Sequence, residues 1–176
     1  ILDRGENHLV VSKPPGVLCH RSDWSGSKKK KKKSESPPEV PMLQRAREAV
    51  GERVNLIHRL DRGASGCLLM SFAESDKYGG NATSTLQESM SLSSSTHKTY
   101  IALVRGEGIL SGRDFKQEGW FEVSRPIKNE GGTLKNATSY FRFIAGQGNE
   151  YGAIDRPRAS LVLARIKTGR WHQIRK

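Results

Sequence analysis

Short apolar runs separated by polar breaks dominate the chain, most of them of strand length, with helical spacing in only two or three places. His8-Leu9-Val10-Val11-Ser12 predicts a short strand, stopped by Lys13-Pro14-Pro15-Gly16. Val17-Leu18-Cys19-His20 is a second short apolar run. Pro41 to Glu52 predicts a helix in which Leu43, Ala46 and Val50 share a face and Gly51 provides the stop. Val54 to Leu60 and Cys67 to Met70 predict strands, the second of a fully buried kind. Between residues 76 and 95 the only periodic signal is Leu86 and Met90 four apart, a weak helix.

The second half reads mainly as strands. Lys98-Thr99-Tyr100-Ile101-Ala102-Leu103-Val104 is the clearest of them, and Trp120 to Ile127 and Ala137 to Ile144 follow, separated by a turn at Gly131-Gly132. From Arg158 to Lys167, Ser160, Val162, Ala164 and Ile166 alternate with Ala159, Leu161, Leu163 and Arg165 before Thr168-Gly169 breaks the pattern. Arg170 to Lys176 then begins a helix. Many strands with two or three helices, out of βαβ order and without internal repeats, predict an α+β fold around a mixed, mostly antiparallel sheet.

Length and composition narrow the class. The 176 residues (19.6 kDa) suit one domain, large enough to bury a core without disulfides or metal. No run approaches the roughly 20 apolar residues of a membrane span, and no signal peptide is visible. Cys19 and Cys67 form no CxxC, so neither a disulfide framework nor a zinc site is expected, and a reduced, intracellular compartment fits.

The net charge of +12 draws attention to polyanions, but six of those charges are one block, Lys28 to Lys33. That block lies in a polar stretch, residues 22–38, expected to be a disordered insert because like charges repel and nothing apolar is there to bury. The remaining +6 sits in patterned segments that include Arg59, Arg62, Lys98, Arg170 and Arg175.

Two segments can carry chemistry. His58-Arg59-Leu60-Asp61-Arg62-Gly63 sets a carboxylate between two arginines at a strand end. A carboxylate so flanked stays ionised and can serve as nucleophile or base; a structural ion pair is the plainer reading. In Thr168-Gly169-Arg170-Trp171-His172-Gln173-Ile174-Arg175 the cations can bind phosphate or carboxylate and Trp171 can stack on a base. A polar strand-to-helix connection explains that segment equally well. Tyr100 faces away from Thr99 and Ile101, toward either a cleft or a core. Gly106 to Gly112 lacks dinucleotide spacing and reads as a loop, Ser65 is not in a GxSxG elbow, and the five histidines have no metal-ligand spacing. Asn81-Ala82-Thr83 and Asn136-Ala137-Thr138 match glycosylation sequons by chance.

Taken together, four segments resemble the motifs of the RluA-type pseudouridine synthases. They are Lys13-Pro14-Pro15-Gly16, the run from His58 to Gly66, Lys98-Thr99-Tyr100-Ile101-Ala102-Leu103-Val104-Arg105-Gly106, and Thr168 to Arg175, in the family's order. Within that family the chain is most similar to the C-type tRNA enzymes, on Val17-Leu18-Cys19-His20-Arg21-Ser22, the helix before His58 and Arg175-Lys176. Ala64 stands where the family has threonine.

The resemblance implies the pseudouridine synthase fold and isomerisation of a flipped uridine in structured RNA, tRNA or rRNA. Asp61 is then the nucleophile, with Tyr100 packing on the base and Arg175 orienting the carboxylate, so that Asp61, Tyr100 and Arg175 are the catalytic residues. His58, Arg59, Arg62, Lys98, Arg170, His172 and Ile174 would bind the RNA substrate. An isomerisation implies no metal or other cofactor; the partner is RNA, with no membrane, and a monomer is the default. The family continues past the last motif, so residues 1–176 are expected to be one catalytic domain cut short there. A catalytically inactive RNA-binding remnant of the fold is the alternative.

Overall fold

The computed structural model describes residues 1–21, 39–73, 82–92, 96–110, 112–129, 131–146 and 159–176. The insert at 22–38 lies outside the described residues. Two compact units divide the chain, Ile1–Ser93 and Ser94–Lys176.

The first unit contains β1 (Asp3–Arg4), β2 (His8–Lys13), α1 (Met42–Val50), β3 (Val54–Leu56), β4 (Gly66–Phe72) and α2 (Ala82–Leu92). Its antiparallel sheet runs in the order β1-β2-β4-β3. Alternation along β2 sends Leu9, Val11 and Lys13 to the buried face, opposite Met70, Leu68 and Gly66 of β4. Leu9, Leu68, Met70 and Val54 are fully buried, each contributing about 1.5–3 kcal/mol of burial free energy.

Helix α1 buries Met42 and Ala46, one turn apart, with Leu43 and Val50 only half-buried. Pro41 offers no side-chain cap, so the first amides find main-chain partners instead: Met42 N–H donates to Leu18 O at 2.8 Å and Leu43 N–H to Cys19 O at 3.0 Å. Gly51 ends the helix in the left-handed region, φ 72°, donating to Arg47 O, and Arg47 in turn donates to Val54 O at 2.9 Å.

The second unit contains β5 (Lys98–Arg105), β6 (Ile109–Leu110), β7 (Arg113–Asp114), β8 (Phe121–Lys128), β9 (Leu134–Gly146) and β10 (Ala159–Ile166). Its main sheet is antiparallel in the order β5-β10-β9-β8, with a register shift between Leu161 and Val162. One face buries Ile127, Ala137, Ser139, Ser160, Val162 and Ala164. On it Phe115 stacks on Phe121 at 3.8 Å, and Phe141 tilts against Phe121 at 5.9 Å. Two of the four exposed positions on β5 are apolar, Ile101 and Leu103, 72% and 74% exposed.

Four expectations are adjusted. Val54–Leu60 is strand only to Leu56, because the ladder with β4 ends at Leu56–Met70 and the His58 imidazole takes the amide of Leu69. Residues 109–110 and 113–114 form a two-stranded hairpin inside the expected loop. Arg170–Lys176 is a series of turns, not a helix, because His172 adopts φ 55°, in the left-handed region, which a right-handed helix cannot pass through. The weak helix of residues 76–95 is α2, eleven residues long.

Candidate active site

Lys13 is the organising residue of the first unit. Strand alternation carries it into the core at the end of the Leu9–Val11 row, where it is fully buried. Its ammonium donates to Pro14 O at 2.9 Å, Arg62 O at 3.2 Å and Ala64 O at 2.6 Å. All three donor hydrogens therefore meet carbonyls, two of them on the far side of Asp61. Burial lowers the Lys13 pKa from its ordinary value, while the nearby Cys19, Asp61 and Glu39 oppose that shift.

Other bonds fix the same loop. Gly16 N–H donates to Arg62 O at 2.8 Å and Arg62 Nε returns a bond to Gly16 O at 2.8 Å. Gly16 sits at φ 83°, a conformation that a side chain would strain. On the near side of Asp61, the buried Cys19 thiol donates to Leu60 O at 3.2 Å and its sulfur accepts Leu60 N–H at 3.3 Å. Glu39 pairs with Arg62 at 3.0 Å and accepts the Leu18 amide at 2.8 Å. The His58 Nε2 accepts Leu69 N–H at 3.1 Å, tying the start of the loop to β4. Asp61 itself is half-buried, with Arg59 and Arg62 exposed on either side. A carboxylate is thus presented by a loop whose backbone is held from both flanks.

The remaining sequence-derived candidates belong to the second unit. Lys98 and Tyr100 are half-buried on β5, where Tyr100 pairs with Ala164 and Lys98 with Ile166 of β10. Arg170, His172, Ile174 and Arg175 lie in the turns after β10, with Arg170 donating to Asn136 O at 2.8 Å. Ile174 and Arg175 line a cavity of about 390 Å³ together with Phe121, Phe141, Val162 and Ser139.

Gln173, to which the sequence assigns no role, organises this segment. It is buried, and its carboxamide oxygen accepts the Thr168 hydroxyl and the Arg170 amide, both at 2.9 Å. Its nitrogen donates to Thr138 O at 2.9 Å and Ser139 Oγ at 2.8 Å. Lys13 and Gln173 were visible only as motif members; a lysine inside an alternating strand pattern was the signal for the first. Among the described residues no group of three metal-ligating side chains is assembled.

Known proteins supply the family. The sequence profile described as RNA pseudouridylate synthase matches residues 7–176. The chain belongs to this family. Two curated relatives called tRNA pseudouridine synthase C, from Pectobacterium carotovorum subsp. carotovorum and Yersinia pestis, are each 30% identical over the whole of this chain. The chain spans 43% and 63% of their respective lengths.

Two human structures also align with this chain. RNA Pseudouridylate Synthase Domain Containing 4 has a TM-score of 0.62 at 17% identity, covering 99% of this chain and 61% of that one. Domain Containing 1 has a TM-score of 0.59 at 20% identity, covering 98% and 61%. At these identities the structures establish a shared fold, which is the α+β architecture expected from the strand pattern.

Proposed function

We propose that this chain carries the catalytic machinery of an RNA pseudouridine synthase that isomerises uridine to pseudouridine in structured RNA, with tRNA favoured over rRNA. The single observation carrying this reading is the Asp61 loop. An ionisable carboxylate is displayed on a backbone clamped by Lys13, Gly16 and Cys19, the preorganisation a nucleophile needs. The names of the curated relatives support tRNA as substrate.

In this reading the target uridine leaves its helix, at a cost of a few kcal/mol, and Arg59 or Arg62 fills the vacated stack. Asp61 attacks the sugar C1′ or the ring C6. The N1–C1′ bond breaks, the uracil turns, and C5 bonds to C1′ while the bond to Asp61 breaks and returns the electron pair to its carboxylate. The C5 proton departs and N1 gains one, so atoms balance without any co-reactant. Tyr100 packs on the base and assists proton removal, Ile174 packs on its other side, and Arg175 orients the carboxylate. His58, Lys98, Arg170 and His172 contribute to holding RNA. Residues 1–176 belong to one catalytic domain, acting inside the cell. No cofactor enters the scheme.

The test is tritium release from [5-³H]uridine-labelled tRNA, run with tRNA binding on the same sample of protein expressed from its full reading frame. Release by the wild type and its loss in Asp61→Asn, with binding retained, is the expected result. Binding without release by the wild type identifies the RNA-binding remnant instead.

A further inference from the structure

The segment after β10 presents an aromatic side chain that the catalytic scheme does not use. Trp171 is 39% exposed, and its indole lies on the His172 imidazole at 3.9 Å and 29°. The Lys176 ammonium stands 4.3 Å from the indole centre. A single exposed aromatic is ordinary on a protein surface, so what surrounds this one decides its meaning.

The surroundings identify the chemistry of that partner. The 170–176 segment is stapled to the β8–β9 hairpin by cations that donate to main-chain carbonyls. Arg170 donates to Asn136 O, Lys176 to Lys128 O at 2.7 Å, and Arg125 to Lys176 O. These bonds bring Lys128 and Lys135 to the same end of the sheet as Trp171, because Lys128 pairs with Leu134 and Asn136 adjoins Lys135. Arg125, Lys128, Lys135, Arg170, Trp171 and Lys176 are all exposed. Among the described residues no carboxylate forms an ion pair with any of these five cations, whereas five ion pairs occur elsewhere.

We infer that Trp171 is a stacking platform for one unpaired nucleobase of the RNA substrate, with Lys128, Lys135 and Arg170 taking the flanking phosphates. The inference rests on the RNA-acting reading above and deepens it. An apolar protein partner would bury the indole but leave the ring of cations without counter-charge. RNA satisfies both, since each base has a π face and each linkage a phosphate. An entering base displaces the Lys176 ammonium from the indole, and a phosphate then receives it. Bases inside a duplex are already stacked, so the platform discriminates for loops, bulges and ends.

The test compares two fluorescently labelled RNAs of equal length, a stem–loop and a blunt duplex, in equilibrium binding across a range of salt concentrations. Trp171→Ala is expected to weaken stem–loop binding about tenfold, the usual worth of one base–aromatic stack, and to leave duplex binding unchanged. Trp171→Phe should retain most stem–loop affinity. Lys128→Ala with Lys135→Ala should weaken both RNAs and reduce the salt slope by roughly two, near one per phosphate lost. Thermal melts of each variant check folding, and Trp171→Leu replaces the alanine variant if that one does not fold. Equal losses on both RNAs, or none on either, overturn the platform while leaving the RNA reading intact. A wild type that binds neither RNA overturns both, and displacement of the stem–loop by an acidic peptide at equal charge concentration overturns the nucleobase assignment.

Discussion

The two units use their charges in opposite ways. Apart from Lys28–Lys33, residues 1–93 carry nine basic and eleven acidic residues, while residues 94–176 carry 15 basic and seven acidic. In the first unit key cations are turned inward on the chain. Lys13 is saturated by three carbonyls, Arg62 is held by Glu39 and Gly16, and Arg4 pairs with Glu52. In the second unit Arg125, Arg170 and Lys176 donate single bonds to carbonyls and keep an outward face. The difference separates two tasks. A nucleophile loop needs fixed geometry, obtained here with a buried, saturated lysine and an exposed arginine engaged by Glu39 and Gly16. Holding a polyanion needs unneutralised charge on a surface.

The most severe break in this contrast is at the nucleophile. Asp61→Asn keeps the loop's shape and removes its charge, so tritium release should fall on the order of a thousandfold or more while RNA affinity stays within about twofold. Equal losses in both assays would move Asp61 from chemistry to docking.

Lys13→Met comes next. It leaves the carbonyls of Pro14, Arg62 and Ala64 without their shared donor, and the expected loss is about 2–4 kcal/mol in chemical denaturation. Turnover should suffer with it, since the same bonds hold the Asp61 loop. A stability loss of the same size from an exposed lysine such as Lys128 or Lys135 would show that burial is not the reason.

Gln173→Ala tests the other unit. Four hydrogen bonds end on this carboxamide, and the predicted destabilisation is about 1–3 kcal/mol, with RNA binding weakened more than in Lys13→Met. Gln173→Glu should restore the two bonds accepted by the side-chain oxygen but not the two donated by its nitrogen.

The smallest effect is a pH dependence. Lys13 binds its proton less tightly when folded, so its contribution to stability should rise as pH climbs from the lowered value toward 10.5, where the unfolded side chain also loses its proton. The stability difference between wild type and Lys13→Met, followed over mildly alkaline pH, measures that slope. A flat difference would mean that Cys19, Asp61 and Glu39 cancel the cost of burial.

Regular strands were the most legible part of the sequence. Strands β5 and β10 follow from short apolar runs bounded by polar and glycine breaks, and α1 from its apolar spacing with Gly51 behind it. Where side chains bond to backbone, pattern reading fails. The strand after α1 ends early because His58 spends its ring on Leu69, and the last segment turns rather than coils because His172 sits at φ 55°. Asp61 was legible as a motif residue, and its presentation was not. That depends on Lys13, Gly16 and Cys19, which lie more than 40 residues earlier and whose contacts no local period encodes.

Glu39 has one further consequence. By accepting the Leu18 amide, it ties the chain just before residues 22–38 to the chain just after them, and α1 repeats the tie through Met42 and Leu43. The chain on either side of residues 22–38 is therefore held together. The entropy of closing a loop grows only with the logarithm of its length, about 0.6 kcal/mol per doubling. A lysine tract can expand or contract there over generations at little thermodynamic cost, and Asp61 need not register the change.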